Sequence, residues 1–151
     1  MLCGRQRCGS TTPSQAGVRA YPKASGGNGL HIFVPLGAEH TFERVRAWVK
    51  AVGGQLAASN PDLLALAHGA THLGVRVTVD YAQNSLGRNT AAPYTLRAYP
   101  VHPTVSTPLT WEELDAGTIH PARLSPQVVL ERVERLGDLF APVLQADQRI
   151  A

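Results

Sequence analysis

The chain predicts an α/β (α+β) domain, a small mixed or antiparallel sheet with helices packed on it. Three observations carry that expectation. Leu30, Ile32, Val34 and Leu36 alternate with His31, Phe33 and Pro35, and Val75, Val77 and Val79 alternate with Arg76, Thr78 and Asp80. That is the period of a strand with one buried face. Between the two runs Phe42, Val45, Val49, Val52 and Leu56 recur at helical spacing. With 151 residues, 44% of them hydrophobic and 17% charged, the chain is long enough to bury one core and too apolar to be disordered.

The elements follow in order. Residues 1–17 are polar, rich in Gly and Ser and without period, the composition of a disordered leader, so the ordered domain is expected over 18–151. The first strand runs from Leu30 to Leu36, its aliphatic set buried and His31 on the opposite face. Thr41 is placed to cap a helix with Glu43 in its first turn, where the dipole favours a carboxylate. That helix reaches about Ala58, weakened in its middle by Gly53-Gly54 and ended by Asn60-Pro61. Leu63 to Ala67 reads equally as a short helix or a strand. Val75 to Asp80 is the second strand, Asn84 to Asn89 a loop, and Tyr94 to Tyr99 a third strand stopped by Pro100. Ser125-Pro126 opens a C-terminal helix pair through Val129, Val133, Leu136 and Phe140, broken near Gly137-Asp138.

Several classes are excluded. Cys3 and Cys8 are the only cysteines, which rules out a disulfide scaffold, and C-x4-C without a second ligand pair is a poor zinc site. His68, His72 and His102 lack metal-ligand spacing, and no nucleophile–base pair stands out. No apolar run reaches the ~18 residues of a membrane span, so a cytoplasmic protein without membrane contact is expected. The net charge of +3 permits a polyanion as partner without requiring one.

The chemistry concentrates in two segments. In Lys23-Ala24-Ser25-Gly26-Gly27-Asn28-Gly29-Leu30-His31, three glycines among four residues let another molecule approach the backbone, with a hydroxyl before them and an imidazole after. Such loops cradle phosphates. Ser25 reads as a ligand or as a turn residue, and His31 as a phosphate donor or as a half-exposed strand residue. In the second segment Asp80 ends a strand, where a carboxylate holds Mg²⁺ or Mn²⁺ or else caps a turn. Arg97 offers a charge-assisted bond to a phosphate or a solvated face. The loop Gly87-Arg88-Asn89-Thr90 adds a cation and a hydroxyl of a common kind, and Trp48 and Trp111 read as packing anchors.

The segments YPKASGGNGLHIFVPL, VTVDYAQNSLGRNTAAPYTLRA and VSTPLTWEEL, in this order and spacing, resemble the polymerase domain of bacterial DNA ligase D, in the archaeo-eukaryotic primase superfamily. The likeness runs from about Tyr21 to Gln148. It implies a metal-dependent nucleotidyl transferase in DNA end joining that uses Mn²⁺ or Mg²⁺, an NTP or dNTP substrate and DNA ends. Ser25 and His31, with Gly26 and Gly27 between them, match the motif that grips the incoming triphosphate. Asp80 matches a catalytic metal carboxylate, Gln83 and Asn84 the polar pair after it, and Arg97 a basic residue near the phosphates.

The chain also departs from that pattern. The family's Asp-x-Asp pair precedes the glycine loop, yet no aspartate or glutamate occurs upstream of Lys23. Asn28 stands where the family usually has Lys or Arg, Ala24 where it has Thr, and Thr71-His72-Leu73 replaces a segment usually rich in basic residues. The resemblance therefore implies the C-terminal half of a primase-polymerase, inactive alone, with the N-terminal half or a ligase as further partners. The competing reading is a non-catalytic remnant or a module that binds nucleotide, DNA or another protein.

Overall fold

The computed structural model describes residues 17–67, 77–98, 100–145 and 147–150. The chain divides into two compact units, one of 1–35 with 91–148, the other of 36–90 with 149–151. Small two-stranded sheets and helices make up both, in keeping with the α+β expectation. The leader, Cys3, Cys8, His68, His72, Val75, Arg76 and Tyr99 lie outside the described residues.

In the first unit β1 (Tyr21–Ala24) pairs antiparallel with β2 (Leu30–Phe33), and β5 (Leu96–Arg97) pairs antiparallel with β6 (Thr104–Val105). Backbone bonds extend this pairing through the segment after β6. Ser106 exchanges bonds with Tyr94 and Thr95, whereas Thr107 exchanges them with Ala24, and Leu109 donates to Pro22. Residues 104–109 thus run between β5 and β1 with both edges satisfied, which is why all six are buried. Ala24, Val105, Leu109, Leu124 and Val129 form the core, with Leu114 and Ile119 packed against it.

Two helices complete this unit. The helix α2 (Trp111–Asp115) starts on a full capping box, with Thr110 and Glu113 each bonding the other's backbone. The helix α3 (Pro126–Leu136) opens on Ser125, whose side chain accepts from Val128 N, and ends at Gly137 with φ 72°. The C-terminal helix pair is corrected here. After Gly137 the chain makes only a short 3₁₀ turn, Ala141–Leu144.

Two strand expectations also change. The first strand is shorter than 30–36 and its faces are exchanged: Leu30 and Ile32 are 45% and 43% exposed, whereas His31 and Phe33 are half-buried. The register explains this, since Lys23 faces His31 and Tyr21 faces Phe33, and Phe33 meets the Phe140 ring edge-on at 5.1 Å. One aromatic anchor outweighs two aliphatics at the strand's end. The third strand shrinks to Leu96–Arg97, because Tyr94 leaves extended backbone with φ 61°. Its hydroxyl donates to Asp138 Oδ1 at 2.6 Å, and burial together with that bond pushes its pKa up to about 12.

In the second unit α1 (Phe42–Ser59) follows Thr41, whose side chain accepts from Arg44 N as expected, and ends where Asn60 N bonds back to Leu56 O. Leu64–Ala67 proves to be a strand, β3, paired parallel with β4 (Val77–Asp80). The helix lies on this pair, and Gly53 permits the approach: a Cβ there would stand 2.8 Å from Val79 Cγ1 and 3.0 Å from Leu66 Cδ1. Val79 is half-buried, but Val77, expected on the same buried face, is 59% exposed at the start of the strand. Among the described residues no helix is long and apolar enough to cross a membrane.

Candidate nucleotide site

Ser25, Gly26, Gly27, His31 and Arg97 belong to the first unit, and Asp80, Gln83 and Asn84 to the second. The glycine loop joins β1 to β2 and closes on itself. Ser25 N donates to Gly29 O at 2.9 Å, and Ser25 Oγ accepts from Gly27 N and Gly29 N, both at 3.1 Å. These two amides, expected to point at a phosphate, are turned onto Ser25. The serine hydroxyl therefore shapes the loop, the turn role that competed with ligation.

Hydroxyls of β6 and of the residue after it hold the loop from below. Thr104 Oγ1 donates to Gly26 O at 2.6 Å, and Ser106 Oγ donates to Ala24 O at 3.1 Å. Gly26 has φ +76°, and its missing side chain admits Arg97: a Cβ would stand 2.5 Å from Arg97 Cγ. Loop and arginine are thus brought together, with the cation on the exposed side.

Sequence reasoning missed the residue beneath them. Lys23 is fully buried. Its ammonium donates to Ser106 Oγ and, at 3.5 Å, to Ala24 O, and lies 5.7 Å from the Phe33 ring centre. Among the described residues no carboxylate pairs with it. Burial, reinforced by Arg97, pushes its pKa down to about 8. His31 stands opposite Lys23 across the hairpin. Its Nδ1 is buried and has no hydrogen-bond partner among the described residues. Burial first, then Lys23 and Arg97, hold the imidazole below its usual range, which favours the uncharged ring. No local signal marks Lys23 as buried, since Tyr21-Pro22-Lys23 shows no apolar alternation and its acceptor Ser106 is distant in sequence.

Lys23, His31 and Arg97 therefore converge on the loop with no acid among them. Burying a cation without a counter-ion is unfavourable, and an anion supplied from solution is the simplest compensation. One polyanionic group with several acceptor oxygens suits two cations and a neutral imidazole donor.

In the second unit Asp80 is exposed and its Oδ1 accepts from Ala82 N at 3.0 Å, starting the 3₁₀ turn Tyr81–Gln83. It caps a turn, the alternative read beside metal binding. Gln83 is exposed, and Asn84 Nδ2 donates to Tyr81 O at 3.4 Å. Arg46 and Lys50 of α1 stand over the Tyr81 ring at 5.7 and 5.6 Å. Among the described residues no three His, Cys, Asp or Glu side chains gather as a metal site would need. These residues do not fit a two-metal centre.

Residues 11–140 match the family model of the LigD primase-polymerase domain. The Multifunctional non-homologous end joining protein LigD of Mycolicibacterium smegmatis is 35% identical over 134 residues, 89% of this chain and 17% of that protein. The protein of the same name from Pseudomonas aeruginosa is 37% identical over 106 residues, 70% of this chain and 12% of its own. The polymerase domain of Mycobacterium tuberculosis ligase D, solved in complex with DNA, superposes with a TM-score of 0.78 at 34% identity, over 87% of this chain and 45% of that one. The chain thus spans less than a fifth of each of these two curated relatives and under half of the solved domain.

Proposed function

The chain belongs to the LigD primase-polymerase family, and from that premise we propose that it holds the triphosphate of an incoming nucleotide at a DNA end during non-homologous end joining. The observation that carries this reading is the group of Lys23, His31 and Arg97 on the glycine loop with no carboxylate among them. In this reading Arg97, on the exposed side, contacts phosphate oxygens directly. His31 donates from a neutral ring, and Gly26 and Gly27 allow the phosphates to approach. The M. tuberculosis domain, solved in complex with DNA, supports DNA as the second partner. Mg²⁺ or Mn²⁺ with Asp80 as ligand is what the family implies, but the acids among the described residues do not make that centre.

That same shortage of carboxylates favours a second reading, in which the polypeptide binds nucleotide and DNA without joining them. Calorimetric titration with ATP, dATP and adenosine tests what the two readings share. Triphosphates are expected to bind at least about tenfold more tightly than adenosine, the scale of two charge-assisted contacts. Equal affinity for adenosine and ATP would remove the phosphate site and both readings with it.

A further inference from the structure

Most lysines keep the ammonium in water while the stem lies on apolar surface. Lys23 does the opposite. It has no exposed surface, one hydroxyl and one distant carbonyl as acceptors, and Arg97 as its charged neighbour. A Met at this position would fill the space and pack on Phe33 without desolvating a charge. Packing alone therefore gives no reason for a lysine here.

The surroundings supply one. Ser106 receives the ammonium and in turn donates to Ala24 O, while Thr104, two residues earlier, donates to Gly26 O. The charge is thus fixed to the strand that pins the glycine loop. Held in a low-dielectric interior, it acts on the loop with less screening than a solvent-exposed lysine would. We propose that Lys23 is a buried positioning residue of the phosphate site: clamped by Ser106 beneath the loop, it favours an oligophosphate over the loop, and its repulsion with Arg97 is relieved when that polyanion binds. This deepens the nucleotide-holding reading and rests on it. Lys23 touches no ligand in this arrangement; it acts through the loop and through its field.

The test uses the full polypeptide and inorganic tripolyphosphate, which carries the charge without the nucleoside. Lys23→Met is expected to bind tripolyphosphate about tenfold more weakly than the unmodified chain. Adenosine binding is expected to stay unchanged, with a melting temperature no lower than that of the unmodified chain. Lys23→Arg is expected to retain most of the tripolyphosphate affinity. Tripolyphosphate is also expected to raise the melting temperature of the unmodified chain more than that of Lys23→Met. Equal tripolyphosphate affinity in the chain and in Lys23→Met overturns the role of Lys23 alone. So does a parallel loss of adenosine and tripolyphosphate binding, which marks a packing role. If the unmodified chain binds no tripolyphosphate, the nucleotide reading falls and this inference with it. Should Lys23→Met not fold, Ser106→Ala releases the ammonium while keeping the lysine; undiminished tripolyphosphate binding there overturns the clamp.

Discussion

Position 26 admits no side chain, for two separable reasons. Its φ of +76° lies in the left-handed region, which costs an L-residue about 1–2 kcal/mol. A Cβ there would also stand 3.1 Å from Ser106 N, a backbone atom that cannot move aside, and would displace Arg97. Gly26→Ala is therefore expected to lose about 2–3 kcal/mol in urea unfolding and to weaken tripolyphosphate binding together with it. A loss under about 0.5 kcal/mol, the scatter of neutral surface changes, would mean that Arg97 does not rest on the loop. At this scale the sequence was partly legible. Gly26 packs against the Arg97 stem and His31 pairs with Lys23, whereas the sequence read Arg97 only as a strand cation facing phosphate or solvent. Ser25 was read as a ligand or a turn residue, and the turn role is the one found, its Oγ accepting from two amides turned inward. Lys23 was not legible as buried: its acceptor Ser106 lies 83 residues away, and nothing local announces a lysine that points inward.

The elements that rest on local chemistry were the legible ones. Thr41 and Asn60 bracket α1 within a residue of expectation, since a cap and an Asn-Pro stop act over a single turn. β1 was not foreseen, because Tyr21-Pro22-Lys23 shows no apolar alternation, and its pairing depends on residues 107–109. Gly53-Gly54 shows how the two kinds of information differ. Propensity alone reads both glycines as a weak point of the helix. In the structure Gly53 lets α1 sit close to β-branched Val79, whereas a Cβ at Gly54 would find Leu66 Cδ2 at an ordinary 3.9 Å. Gly54→Ala is accordingly expected to stabilise the protein by about 0.5–1 kcal/mol through helix propensity. Gly53→Ala should cost about 1 kcal/mol net, because pushing Val79 aside outweighs the same propensity gain. Chemical denaturation of both single variants checks this, and equal shifts in the two would mean that α1 does not approach β4 as closely as described.

For the molecule as a whole, the decisive quantity is its supply of correctly placed oxygens. In-line nucleotidyl transfer with two metals needs the ions about 4 Å apart, each surrounded by about six oxygens, several of them from carboxylates. The acids of the described chain are otherwise engaged or scattered. Glu113 accepts from Thr110 N and pairs with Arg132, Asp138 accepts from Tyr94, Asp147 pairs with Arg19, and Glu39 pairs with Arg149. Asp80 alone stands where the family's catalytic acid is matched, and its Oδ1 already holds a turn amide. The proposed phosphate site, by contrast, draws on Lys23, His31 and Arg97 and calls for no carboxylate. A purified polypeptide of these 151 residues is therefore expected to bind ATP and yet to extend no primer on a recessed DNA end, with Mg²⁺ or with Mn²⁺. The binding half of that expectation guards the negative half, since a chain that holds ATP has folded its loop and fails only at the chemistry. Primer extension above a protein-free control, lost in Asp80→Ala, would show that this one carboxylate suffices and would overturn the reading of the chain as a nucleotide-holding part.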